Sequence, residues 1–194
     1  MNIKKIVDLS MSITSQTPIY PGDPKPHITP AATFAENGYN VSRLVLGSHS
    51  GTHVDAPFHF REDGLRIDEV PLTCFLGKGV VIDVTGKNDG EAITLDDVTA
   101  YLPRLEPGMI VLFHTGWSQY AGTERYFRHP YIAIDVIQAM LERGIRTFFI
   151  DALNIDPPDG SSFPAHEAIT AANGVIGENF TNFDKIDFAN PYII

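Results

Sequence analysis

Cysteine is almost absent from this chain: Cys74 is the single one among 194 residues. No internal disulfide can form and no thiolate-based metal site is available, which suits a reducing compartment. Basic charge is scarce as well, with 14 Lys and Arg against 24 Asp and Glu and a formal net charge of −10. No stretch concentrates the Lys and Arg, so nucleic acid and anionic membranes are poor partners and small molecules better ones. Residues 1–10 hold two lysines but no long apolar run. Neither a signal peptide nor a membrane anchor is expected there, and the reading is a cytoplasmic protein. Internal repeats and low-complexity tracts are missing too. A length of 194 residues, 43% hydrophobic and 20% charged, describes one globular domain over residues 1–194.

What the chain does contain is strand and helix in alternation. Apolar runs predict strands over residues 3–13, 40–47, 79–85, 109–114, 147–152 and from 191 onward. Helices are expected over residues 94–102, where Thr94 is the N-cap with Asp96 and Asp97 behind it, over 132–143 with Gly144 as its stop, and over 165–172 before Gly174. This order argues a mixed α/β fold. Residues 17–26 carry four prolines and a glycine and cannot form helix or central strand. They form a loop that presents Tyr20, a candidate substrate contact. Residues 156–160, D-P-P-D-G, are a second loop by composition.

The chemistry concentrates in residues 49–59, H-S-G-T-H-V-D-A-P-F-H, where three histidines and one aspartate fall within one short segment. As an extended strand, His49, His53, Asp55 and His59 share one parity and one face; as a helix, His49 and His53 still share a face. Gly51 permits a bend and Pro57 stops a continuing helix or central strand, so the run is expected at a strand end or loop. Imidazole with carboxylate and no thiolate suits a divalent ion such as zinc or manganese, with positions left open for water. A serine nucleophile is poorly supported, because residues 47–51 read G-S-H-S-G, with histidine where a nucleophile elbow needs serine.

Extended by Phe60, the run H-S-G-T-H-V-D-A-P-F-H-F closely resembles the signature of the cyclase family of metal-dependent hydrolases, which includes bacterial kynurenine formamidases and isatin hydrolases. D-L-S at 8–10, P-I-Y-P-G-D-P at 18–24, H-T-G-W at 114–117, F-I-D-A-L-N-I-D at 149–156, and His166 and Glu178 are also similar, in the family's order. The resemblance implies a swivelling β/β/α domain with a central mixed sheet, and a homodimer or homotetramer. It implies two divalent ions per chain, zinc or else manganese, held by His49, His53, Asp55, His166 and Glu178, with Asp55 bridging. It assigns His59 as the catalytic histidine. The implied activity is arylformamidase-like: hydrolysis of a small amide, an aryl-formamide or a cyclic amide, by a metal-generated hydroxide. A hydrolase of lactones or esters would use the same groups, and a metal-stabilised binding protein of the same fold is the non-catalytic alternative. Formamidases of this type carry Trp where this chain has Tyr20 and Thr where it has Pro24; an aromatic wall survives the change.

Other candidates receive plainer readings. His27, His114 and His129 lack a local cluster and are read as structural, and Glu167 as a surface helix residue. Asp151 and Asp156 close a buried strand, and a role in orienting a metal ligand is open to both.

Overall fold

The computed structural model describes residues 5–187, 189 and 191–194. In chain order the strands are β1 (His27–Ala32), β2 (Val41–Val45), β3 (His53–Asp55), β4 (Gly77–Asp83), β5 (Ala92–Ile93), β6 (Ile110–His114), β7 (Tyr131–Ile132), β8 (Thr147–Ile150), β9 (Val175–Glu178) and β10 (Tyr192–Ile193). The helices are α1 (Phe34–Asn37), α2 (Leu95–Val98), α3 (Ile134–Glu142) and α4 (Pro164–Ala171), with several short 3₁₀ turns between them. The chain is a mixed α/β domain built on a six-stranded sheet of order β10-β4-β6-β8-β9-β3.

Its four central strands are parallel, and β10 and β3 close the two edges antiparallel. Parallel strands covered on both faces favour near-continuous apolar runs, and I-V-L-F of β6 and F-F-I of β8 supply them. Val111, Phe113, Phe148 and Ile150 point to one face, where Val136, Ile137 and Met140 of α3 and Ile169 of α4 cover them. Ile110, Leu112 and Phe149 point to the other, against Phe180, Phe183 and Ile193. Each fully buried Val, Leu, Ile or Phe contributes roughly 1.5–3 kcal/mol of burial free energy. Helix α3 stops where expected: Gly144 takes φ 81°, and the Gly144 and Ile145 amides donate to the Leu141 and Met140 carbonyls. Among the described residues no helix is long and apolar enough to cross a membrane.

One expectation needs correction, and two strands lie where none is expected. The opening strand is absent: residues 1–4 lie outside the described residues, and 5–13 make a single bridge, Ser10 to Phe180. The Asp8 carboxylate accepts the Ser10 amide, which is thereby spent within the segment. The strand at 40–47 is real as β2, but it pairs with β1, which the sequence hid behind Pro30. Pro30 is tolerated because the register slips there and the pair is isolated from the main sheet. The second is β9, which Gly177 and Glu178 end inside the main sheet. The V-I-G-E strand carries its glycine because a side chain on Gly177 would collide with Phe149 and Phe180, which stack 4.5 Å apart.

Candidate metal centre

The antiparallel pairing of β3 with β9 places His53 opposite Glu178, and Asp55, two residues on, shares their face. That register joins residues more than a hundred positions apart. The strand-parity reading of the histidine run holds for His53 and Asp55 alone. His49 lies in a turn before Gly51, and His59 ends a 3₁₀ turn that Pro57 opens. Gly51 adopts φ 68° and packs against Ile13, so the bend that brings His49 back over the strand depends on it. His166 arrives from the first turn of α4.

The side chains converge. His49 Nδ1 stands 2.6 Å from Asp55 Oδ1, His53 Nε2 3.3 Å from the same oxygen, and His166 Nε2 3.3 Å from Asp55 Oδ2. His166 Nε2 lies 3.6 Å from Glu178 Oε1, and His53 Nε2 3.9 Å from Glu178 Oε2. The His59 ring centroid is 4.2 Å from that of His49 and 5.7 Å from that of His166. Ligand-capable atoms of His49, Asp55 and His59, and separately those of His53, Asp55 and Glu178, come within 4.8 Å of one another. Asp55 belongs to both groups, the placement a bridging carboxylate requires. The structure therefore brings together all six residues singled out as ligands or as the catalytic histidine.

Hydrogen bonding also fixes which ring atoms face inward. His53 Nδ1 is 2.8 Å from the Gly51 carbonyl and donates to it, leaving Nε2 on the cluster side. Glu178 Oε1 accepts the Ile155 amide at 3.0 Å. His53 Nε2 and Asp55 Oδ1 are buried without a hydrogen-bond partner despite their short mutual distances. Buried polar atoms left in this state are costly unless a further group satisfies them. A divalent cation bound by imidazole nitrogen and carboxylate oxygen fits that donor set.

The electrostatics fit as well. Burial favours the neutral form of His53, but the Asp55 carboxylate beside it and the charge of Glu178 win, and its pKa rises to about 9. For His166 burial is again outweighed, by Asp156, Asp55 and Glu178, and the pKa rises to about 10. Burial pushes Asp55 up, yet His166, His49 and His53 hold it well below the usual carboxylate range. Glu178 is raised to about 7 by burial and the Asp55 charge, against His166, His53 and the Ile155 amide. His59 falls to about 4, through burial first, with Asp55 opposing and His49, His166 and His53 assisting. Without metal, protons on His53 and His166 thus act as the counter-cations of the two carboxylates.

These shifts set a pH dependence. His53, His166 and Glu178 have raised folded-state pKa values, so their stabilising contributions are complete below the unfolded values, near 6.5 for His and 4.5 for Glu, and are lost as pH rises through about 7 to 10. Asp55 acts in the opposite sense, but below its ordinary 3.8. Metal-free protein should therefore melt at a lower temperature at about pH 9 than at about pH 6.5, and metal, which displaces those protons, should narrow the difference. A melting temperature of the chelated protein that climbs across this range would contradict the assignment.

Around the cluster stand aromatic rings. Phe60 lies 4.7 Å from the His166 ring at 31°, and Phe163 lies 5.4 Å from Phe60. Tyr20 reaches Phe163 at 6.3 Å, and its hydroxyl pKa is raised by burial and by Glu178, so the proline-rich loop does border the site. Phe60 and Phe163 escaped the sequence reading, although each sits beside a site element, Phe60 following His59 and Phe163 preceding α4.

The remaining candidates fall elsewhere. Asp151 accepts the Thr115 amide at 2.7 Å, its hydroxyl at 2.6 Å and the Gly116 amide at 2.9 Å; it holds a turn, and only Asp156 orients a site histidine. His129 is buried with Nδ1 3.1 Å from the Pro130 carbonyl, and burial lowers its pKa to about 4. His27 is exposed, His114 packs against Phe183, and Glu167 is exposed on α4.

A curled mixed sheet with a buried histidine and carboxylate cluster at its β3 edge defines the class, and residues 7–157 match the family model described as putative cyclase: the chain belongs to the cyclase family. Among its relatives is the kynurenine formamidase of Erythrobacter litoralis (strain HTCC2594), 30% identical over 167 residues that cover 86% of this chain and 74% of that protein. Isatin hydrolase A from Labrenzia aggregata, bound to benzyl benzoate, shares the fold with a TM-score of 0.87 at 24% identity, over 96% of this chain and 84% of that one. A predicted metal-dependent hydrolase from Bacillus stearothermophilus matches with a TM-score of 0.75 at 28% identity, over 97% and 86% of the two chains.

Proposed function

We propose that this protein is a metal-dependent hydrolase of a small amide carried on a flat ring, an aryl-formamide or a cyclic amide. His49, His53, Asp55, His166 and Glu178 would hold two divalent ions, zinc or manganese. The observation that carries the reading is the pair of buried atoms without hydrogen-bond partners, His53 Nε2 and Asp55 Oδ1, at the centre of a convergent ligand set. Bound divalent ions supply a water acidified to a pKa of roughly 7 and a polarised carbonyl.

The chain's own residues do the rest. Asp55 and Glu178 bring the negative charge that offsets the ions, and their burial keeps the local dielectric low. His59 is neutral at pH 7, because its pKa is held near 4, and so it can accept a proton and deliver it to the departing nitrogen. Phe60, Phe163 and Tyr20 offer ring faces to a flat substrate beside the reacting carbonyl. The name of the Erythrobacter relative points to a formamide of an arylamine, and that of the Labrenzia structure to isatin.

A panel of formanilides, isatin and simple lactams, assayed with zinc- and manganese-loaded protein, tests the substrate class. Turnover is expected on aryl substrates, with saturated lactams slower by about 2- to 10-fold, the scale of 0.5–1.5 kcal/mol of aromatic contact. Equal rates on both would remove the aromatic wall from the account, and no turnover on any with both ions bound would favour the binding-protein alternative.

The same reading includes self-association. The β1–β2 ribbon exposes Phe34, Tyr39, Val41, Leu44, Val45 and Leu46, and an isolated two-stranded ribbon is marginal in water. The accessible surface of 10731 Å² exceeds the roughly 9,100 Å² usual for a 21.4 kDa monomer. Sedimentation should give a dimer or tetramer that Leu44→Lys weakens; a monomer at all concentrations would contradict this.

A further inference from the structure

We propose that Asp156 is a positioning residue that fixes the ring orientation and tautomer of His166, an inference that rests on His166 being a metal ligand. Asp156 is completely buried, and its carboxylate meets three N–H donors. Oδ1 accepts the Ala165 amide at 2.7 Å; Oδ2 accepts the His166 amide at 3.0 Å and His166 Nδ1–H at 2.7 Å. One carboxylate therefore holds both the first turn of α4, whose Phe163 N-cap offers no side-chain cap of its own, and the imidazole that projects from that turn. Asp156 is itself held: its amide donates to the buried Asn154 Oδ1 at 2.7 Å, and Pro157 and Pro158 stiffen the chain that follows.

The consequence for His166 is geometric. With Nδ1 committed to Asp156, Nε2 is the ring nitrogen that faces Asp55 and Glu178. A flip about the ring axis would present carbon to the carboxylates, and it would cost the charge-assisted bond to Asp156. Phe60, lying over the ring at 31°, restricts tilting as well. His53 has only the neutral Gly51 carbonyl on its Nδ1, so the two histidines are held unequally. A carboxylate partner makes the imidazole a stronger electron donor than a carbonyl does, and the ion on the His166 side gains most from it. An asparagine cannot replace Asp156: it has one oxygen where three donors need two acceptors, and its NH₂ group must face an N–H or force His166 into the opposite tautomer.

The test is a zinc titration against a competing chelator on the wild-type protein and on Asp156→Asn, with the melting curve of each metal-free protein recorded alongside. Long-range ¹⁵N–¹H spectra of the histidine rings in zinc-loaded wild type complete it. The inference expects wild type to bind two ions and Asp156→Asn, folded, to lose about 10- to 100-fold in affinity for one of them. It expects the spectra to show His166 protonated at Nδ1 and ligated through Nε2. A folded Asp156→Asn that binds both ions as wild type does would overturn it. So would ligation of His166 through Nδ1, a result that needs no variant and decides the matter if Asp156→Asn does not fold. Wild type that binds no zinc would instead overturn the reading on which the inference stands.

Discussion

Asp55→Ala should abolish binding of both ions and lower turnover by on the order of 10³-fold or more, the scale seen when one member of a cooperating site is removed. Among the described residues, its carboxylate is the one that approaches three of the histidines at once, Oδ1 toward His49 and His53 and Oδ2 toward His166. Removing Glu178 or His53 leaves one of the two ligand groups whole, whereas removing Asp55 takes a member from each. The metal-free variant should also show the electrostatic role. Near pH 6, His53 would lose its main counter-charge while His166 keeps Asp156, and loss of a buried partner costs about 3–5 kcal/mol when the remaining charge must stay. At about pH 9 those histidines can release their protons, so the penalty should shrink. Chemical denaturation of the chelated proteins at the two pH values measures this. A variant that keeps two ions would show that Asp55 is not the bridge.

His59→Ala should lower turnover by about 10²- to 10⁴-fold, the usual contribution of a positioned acid–base group, while both ions stay bound. The ring lies close to His49 and His166 yet is the most exposed of the cluster's histidines, which suits a group that exchanges protons with substrate and solvent. Its nearness to Asp55 also leaves coordination open to it. Measuring metal content and rate on one preparation separates the roles. Loss of an ion together with activity would make His59 a ligand; full metal with a normal rate would leave it no part in the chemistry.

The half of the site that lies within residues 49–59 was legible because four chemically compatible side chains in one short run have few structural explanations. His166 and Glu178 were reachable only through family resemblance, because tertiary pairing unites them with the rest. Glu178 depends on the β3–β9 register, and β9 is a four-residue strand whose glycine, required by Phe149 and Phe180, makes it read as a loop. Asp156 could be suspected from its place after a buried strand. That it reaches His166 while Asp151 reaches Thr115 follows from the return of the chain through residues 157–163. The parallel strands β4, β6 and β8 were plain in sequence, since burial on both faces favours apolar runs. The ribbon and the N-terminal segment were not: Pro30 disguised a strand, and loose alternation imitated one where the chain makes a single bridge.

The most direct measurement is the number of divalent ions held per chain after reconstitution with zinc or manganese and removal of excess metal, read by native mass spectrometry with elemental analysis. Two ions per chain are expected, with protons released on binding at neutral pH from His53 and His166. No tightly bound ion, or binding without proton release, would contradict the central claim that these buried histidines and carboxylates form a two-metal hydrolytic site.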